Sequence, residues 1–309
     1  MRLAILGASG MLGSMLLDLF SRESNYEVVA TTRKKETASK LSELTRSISW
    51  RILDVETGGL EEVVKTLDGV TWAINSIGII KPHIHDDNAR EIERATRVNA
   101  LFPHTLARAA EETGCKVIQI ATDCVYSGLK GSYLEADKHD ALDVYGKTKS
   151  LGEVFSPNVS HLRCSIIGPE PRKNSSLLEW FLGQGRDSLV NGFTNQKWNG
   201  ITTLHFSKIC VGIVANNIVL PHTQHVIPTG LVTKFDLLCT LANSYKRVDL
   251  KVKPAVAPVA VDRTLSTLNP ELNRKLWLAA DYDHVPSIAE MVSELASFNY
   301  FFRGTLTRT

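Results

Sequence analysis

Tyr145-Gly146-Lys147-Thr148-Lys149 sets a phenol and an ammonium at i and i+4, which makes them neighbours on one face if the segment is helical. A phenol ordinarily has a pKa of about 10, so moving its proton near neutrality calls for a cation beside the phenolate, and Lys149 is that cation. Upstream, the apolar run Val117–Ala121 ends at Thr122-Asp123. Ligands of open parallel sheets sit at the carboxyl ends of strands, so Thr122 is placed to orient a carbonyl. The three groups together suit proton transfer to an oxygen whose carbon exchanges a hydride with a cofactor. Cys124, next in line, has no nearby His to activate it and reads as a neutral thiol.

A second pattern would bring such a cofactor. Gly7-Ala8-Ser9-Gly10-Met11-Leu12-Gly13 follows the apolar run Leu3–Leu6 and precedes a helical pattern. Gly7 permits the tight turn, Gly10 lets backbone N–H groups reach phosphate oxygens, and Gly13 allows close helix–strand packing under the helix's positive end. The next strand, Val28–Thr31, runs into Thr32-Arg33-Lys34 with no acid to hold a free ribose 2′-hydroxyl. Those cations suit a 2′-phosphate, which favours NADP(H), with NAD(H) as the alternative. Asp54 and Val55 follow the third strand, with Asp54 set to meet an adenine amino group, to cap a helix or to lie at the surface. Asn75, Ser76 and Gly78 close the cofactor rim, and Lys81 beyond them faces substrate or solvent. His83 and His85 lack a third ligand at metal spacing, so no metal is expected.

The elements that must position these groups alternate. Strands are expected at Leu3–Leu6, Val28–Thr31, Ile48–Leu53, Trp72–Asn75, Val117–Ala121 and Val159–Arg163. Helices are expected at Met11–Arg22, Thr37–Thr45, Leu60–Leu67, Asp87–Thr113 and Val144–Phe155. Pro103 should kink or break the fourth helix near Leu101. The expected fold is therefore α/β, a doubly wound parallel (Rossmann) sheet over residues 1–168. After Gly168 the alternation stops, and residues 169–309 read as a smaller substrate-binding lobe. A segment around 201–228, apolar from Phe206 to Val219, should return to the first core, and Pro286–Phe298 should form a late helix capped near Ser287.

Composition removes other classes. With 35 Lys and Arg against 33 Asp and Glu, the net charge of +2 gives no general pull on nucleic acid or a membrane surface. The five cysteines are odd in number and lack a CxxC pair, which speaks against a disulfide framework or a zinc knuckle. No apolar run is long enough to span a bilayer and no leader precedes Met1-Arg2-Leu3, so a cytoplasmic protein is expected.

Glycine loop, Thr122 and YxxxK stand in the order of an extended short-chain dehydrogenase/reductase. The block Thr122-Asp123-Cys124-Val125-Tyr126-Ser127-Gly128, then Tyr133, Glu135 and Asp137, then Tyr145 to Lys149 with Gly152-Glu153, resembles the dTDP-4-dehydrorhamnose reductase family. Weaker agreement continues through Leu162–Ser165, Asn195 to Thr203, Asp262–Ser266 and Val285–Ile288. The resemblance implies an oxidoreductase of deoxysugar biosynthesis that reduces a nucleotide-linked 4-keto-6-deoxyhexose with NADPH, Tyr145 supplying the proton. The partner is then a nucleoside-diphosphate sugar, and a homodimer is left open. Asn99 resembles the superfamily's helix-distorting asparagine behind the site. The family usually has an aromatic residue where Cys124 stands and a Trp where Ile166 stands, so sugar contacts through Asp123, Cys124 and Ile166 should differ. Trp198, in Lys197–Gly200, either replaces that aromatic surface or is buried in the small lobe, and Arg263 suits the substrate pyrophosphate. Two other readings share the scaffold: a sugar-nucleotide epimerase or dehydratase, and a non-catalytic regulatory subunit. A dehydratase needs an acid directly after Asp123, where this chain has Cys124.

Overall fold

A computed structural model of the chain describes residues 1–45, 48–171 and 176–302. Six strands alternate with helices: β1 (Arg2–Leu6), α1 (Met11–Arg22), β2 (Glu27–Thr32), α2 (Lys35–Leu44), β3 (Ser49–Ile52), α3 (Leu60–Leu67), β4 (Trp72–Asn75), α4 (Ala89–Ala95), α5 (Phe102–Thr113), β5 (Lys116–Thr122), α6 (Val144–Leu151) and β6 (Val159–Cys164). Then follow β7 (Ile166–Ile167), α7 (Leu177–Leu182), β8 (Leu189–Phe193), β9 (Gln196–Trp198), β10 (Ile201–Thr202), α8 (Thr203–Ala215), β11 (Thr223–His225), β12 (Val232–Thr233), α9 (Lys234–Ser244), β13 (Lys251–Ala255), β14 (Val261–Asp262), α10 (Pro270–Ala279) and α11 (Ile288–Ser297).

Among the described residues the main sheet has seven strands, in the order β11-β6-β5-β4-β1-β2-β3, all paired in parallel. The sequence explains this: β1 is apolar at every position from Leu3 to Leu6, as a strand covered on both faces must be. Leu3 and Ile5 join the core under α1 and α8, while Ala4 and Leu6 join the core under α3 and α5. This is the expected doubly wound sheet. Its seventh strand comes from residues 223–225, and α8 packs directly on α1. The later helices and three small sheets, β7/β10, β12-β9-β14 and β8/β13, share the first of these cores through Leu237, Leu276, Trp277 and Met291.

Near Leu101, where a kink or break is expected, the helix is distorted but not broken. Residues Thr96–Leu101 form a π-turn that joins α4 to α5 without interruption, and the Phe102 N–H reaches back to the Arg97 carbonyl. Pro103 falls in the first turn of α5, where a missing donor costs little. The wider turn carries Asn99. Helix α6 is also shorter than expected, ending at Leu151 rather than Phe155. Gly152, its C-cap, lies against the Asn99 carbonyl, where a Cβ would stand 2.0 Å from the oxygen.

Arg163 on β6 ties the sheet to the later segments. It is 1% exposed, pairs with Glu153, and donates to the Tyr126 hydroxyl at 2.9 Å, to His225 Nε2 at 2.7 Å and to His139 Nε2 at 2.9 Å. A guanidinium only donates, so both imidazoles must accept through Nε2 and carry their proton on Nδ1. There His225 meets the Ser266 carbonyl at 2.6 Å. Burial and the neighbouring guanidinium hold His225 in its neutral form, well below the ordinary imidazole pKa. Burial, helped by His222 and Lys149, takes His161 down to about 4.

These histidines predict a pH response. Because their folded pKa values are depressed, they contribute full stability above about pH 6.5 and lose it as pH falls toward 4, by roughly 2–3 kcal/mol for a fully buried imidazole. The urea midpoint should therefore fall between pH 6.5 and 4.5, before most carboxylates titrate. A flat midpoint over that range would contradict the neutral tautomers.

Candidate active site

The glycine loop folds as its spacing requires. Gly7 has φ +81°, and a Cβ on Gly13 would stand 2.2 Å from the Gly7 carbonyl oxygen, so only glycine lets α1 come this close to β1. Gly10 is the N-cap of α1 and offers no side chain to its first turn, which leaves backbone N–H groups directed at the groove. This cradle fits a pyrophosphate.

Two connected cavities run along the carboxyl edge of the sheet and share Gly10, Arg33, Ser76, Ile77, Gly78, Ile79 and Arg94. The smaller, of 230 Å³, is lined by Gly7, Ser9, Thr32, Arg33, Lys34, Val55 and Glu56. The larger, of 570 Å³, is lined by Met11, Leu12, Lys81, Thr122, Asp123, Cys124, Tyr145, Lys149 and Ile166. The phenol, the ammonium and the threonine hydroxyl named from sequence thus share one cavity wall.

Local structure explains how they meet. Asp143 caps α6 by accepting from the Gly146 N–H at 2.8 Å. Gly146 seats the helix on the loop after β5, since a Cβ there would lie 2.5 Å from the Cys124 carbonyl oxygen. Lys149, buried, donates from Nζ to the Ile120 carbonyl at 3.2 Å, and burial lowers its pKa. Enclosure raises the Tyr145 pKa above that of a free phenol, with further upward contributions from Cys124, Asp123 and Asp143, against a downward one from the hydroxyl of Thr122. Tyr145 therefore stays protonated at neutral pH. Asp123 is buried, donated to by Thr122 at 3.3 Å, and its pKa is raised by burial although Arg263 and Lys234 pull it down. Burial takes the Cys124 thiol up to about 12, in agreement with a neutral group.

A family model described as RmlD substrate binding domain matches residues 1–167. The chain belongs to this family. The match agrees with the resemblance to dTDP-4-dehydrorhamnose reductases. A protein of that name from Aggregatibacter actinomycetemcomitans is 30% identical over 194 residues, 61% of this chain and 59% of its own length. The alignment thus spans under two thirds of that relative. The dTDP-4-dehydrorhamnose reductase of Bacillus anthracis, solved in complex with NADP, superposes with a TM-score of 0.73 at 20% identity over 95% of this chain and 98% of its own. The UDP-glucuronic acid 4-epimerase of Bacillus cereus, solved with NAD and a UDP-sugar analogue, gives 0.73 at 17% over 96% and 98%. At such identities these structures speak for the shared fold alone.

Several family positions lie elsewhere than the sequence suggested. Asn75 is fully buried, its amide donating to Gln119 Oε1 at 2.7 Å and its oxygen accepting from the Ile77 N–H at 3.0 Å, so it shapes the rim from behind. Asn99 likewise lines neither cavity. It accepts from the Ile79 N–H at 2.8 Å and donates to the Ile79 carbonyl at 2.9 Å, pinning the rim loop to the π-turn. Asp54 also stays behind the wall, where its Oδ1 accepts the Glu56 N–H at 3.0 Å. Trp198 is 4% exposed and donates to Ser165 Oγ at 2.8 Å, so the buried alternative holds. Arg263 donates from Nε to the Tyr126 carbonyl at 2.8 Å, beside rather than in the larger cavity. Among the described residues, no group of three or more His, Cys, Asp or Glu is set to hold a metal, and no helix is long and apolar enough to cross a membrane. The sequence reading passed over Glu56 and Arg94, which line the groove, and Lys234, whose ammonium lies 5.9 Å over the Trp198 ring. None stands in a local motif.

Asn99→Ala should strand both polar groups of Ile79 and cost roughly 2–4 kcal/mol in urea unfolding. A cost under about 0.5 kcal/mol would remove Asn99 from the support of the rim.

Proposed function

We propose that the protein is an NADPH-dependent reductase that converts a nucleotide-linked 4-keto-6-deoxyhexose into its 4-hydroxy sugar. The convergence of Thr122, Tyr145 and Lys149 on one cavity wall, continuous with the glycine-loop groove, carries this reading. The family's relatives named dTDP-4-dehydrorhamnose reductase supply the substrate class.

The fit of the groove to a dinucleotide rests on the close approach at Gly13, the uncapped first turn of α1, and the cations Arg33 and Lys34 at the far end. The reduced nicotinamide, when bound, supplies the hydride. Tyr145, kept protonated by its enclosure, gives the ketone oxygen its proton, and the Thr122 hydroxyl donates to the same oxygen as charge develops. Lys149, held at the Ile120 carbonyl, offers its remaining N–H donors to the ribose and its charge to the phenolate left behind. Ile166 and Cys124 leave more room over the sugar than aromatic residues would. Arg263 and Lys234 put positive charge beside Asp123, on the side from which a diphosphate would enter. Cys124 in place of an acid disfavours dehydration at C6.

The test is oxidation of NADPH against a panel of nucleotide-linked 4-ketosugars, with product stereochemistry read by NMR. Stoichiometric NADPH consumption is expected, whereas interconversion without net oxidation would indicate an epimerase. Tyr145→Phe should lower kcat by about 10²–10⁴ with NADPH affinity within threefold of wild type. Near-normal turnover would end its assignment as proton donor.

A further inference from the structure

Of the cations assigned to the adenosine end of the groove, Arg33 is already engaged. Arg33, just after β2, donates from Nη1 to Glu56 Oε1 at 2.6 Å. The same oxygen accepts from Arg94 Nε on α4 at 2.9 Å. Glu56 is presented by the loop after β3, whose turn is fixed by the bond from its own N–H to Asp54. All three side chains line the smaller cavity, along with Lys34, Ser9 and Thr37. They are a quarter to a half exposed, so a ligand entering the groove can compete for them.

A 2′-phosphate carries close to two negative charges and would seek Arg33 in the bidentate geometry of a guanidinium. To take it, the phosphate must displace one carboxylate contact and stand near a second anion that Arg94 keeps in place. A 2′-hydroxyl meets the opposite situation, because a carboxylate is an acceptor for it. We propose that Glu56 sets the dinucleotide preference by acting as an internal competitor for Arg33, restraining the phosphorylated cofactor and tolerating the unphosphorylated one. This rests on the proposed use of a nicotinamide dinucleotide. The sequence feature that favours NADPH, the Thr32-Arg33-Lys34 run, is thereby tempered by a residue that no motif points to. Arg94 has a positioning role, anchoring the carboxylate when Arg33 turns to the phosphate.

The experiment is titration of the purified full chain with NADPH and with NADH, followed by calorimetry, for wild type, Glu56→Gln, Arg33→Ala and the double variant. Glu56→Gln should tighten NADPH about fivefold to tenfold and leave NADH unchanged or weaker. In the Arg33→Ala background the same substitution should change NADPH affinity less than twofold. Glu56→Ala should shift the ratio in the same direction, which guards against an effect peculiar to the amide. A ratio unchanged within twofold, a parallel loss of both cofactors, or a gain that persists without Arg33 would overturn the proposal. Failure of wild type to bind either dinucleotide would instead defeat the cofactor reading, and this inference with it.

Discussion

One sealed guanidinium organises the region behind the site. Arg163 is surrounded by a carboxylate from the second residue after α6, a hydroxyl from the loop after β5, and two imidazoles, one of them on the seventh strand. Removing one partner of such a buried pair typically costs 3–5 kcal/mol, because the remaining charge is left without compensation. The donors of Arg163 therefore fix the relative placement of β6, the end of α6 and β11. Tyr145 lies one helical stretch from Glu153, and Tyr126 one short loop from Thr122. The catalytic candidates are placed by elements that this cation joins.

Close backbone contact provides the other constraint. Gly13 against Gly7, Gly146 against Cys124 and Gly152 against Asn99 are three places where a side chain would meet a carbonyl oxygen at 2.5 Å or less. The first sets α1 over the cofactor groove, and the other two seat α6 at its start and its end. Floor and rear wall are thus backbone packed on backbone. The walls that face solvent at the adenosine end are ion pairs.

The sequence revealed the first part of this well. Continuous apolar runs mark a strand buried on both faces, and the first, third and fourth helical patterns carry three- and four-residue spacing through to their observed ends or nearly so. It revealed the site less evenly. Thr122, Tyr145 and Lys149 could be named because the strand end and the i, i+4 spacing are local. Glu56 and Arg94 are separated by 38 residues and meet only through tertiary packing. The π-turn is legible only as a kink or break, because Pro103 has the same sequence signature in the first turn of a new helix as in the interior of an old one. Asn75 reads as a rim residue because an amide in such a motif serves equally to face a cofactor or to satisfy the backbone behind it, and only burial separates the two, whereas Asn99 stands behind the site as its resemblance implies. The Arg163 cluster draws on His225, 62 positions away, on a three-residue strand with little periodicity to read.

The rim loop after β4 is held at its two ends by unlike means. At Ile79 it is clamped by a buried amide. Farther along, Lys81 reaches Asp143 at 2.8 Å and Asp86 accepts the Val144 N–H at 3.2 Å, both at the exposed start of α6. An exposed ion pair contributes about 1 kcal/mol or less, so little of the hold on the distal half is electrostatic. The stronger hold is Ile84, buried in the same apolar cluster as Ile79, against which Val144 and Tyr145 pack, so that loosening the strap would also loosen the wall beside the phenol.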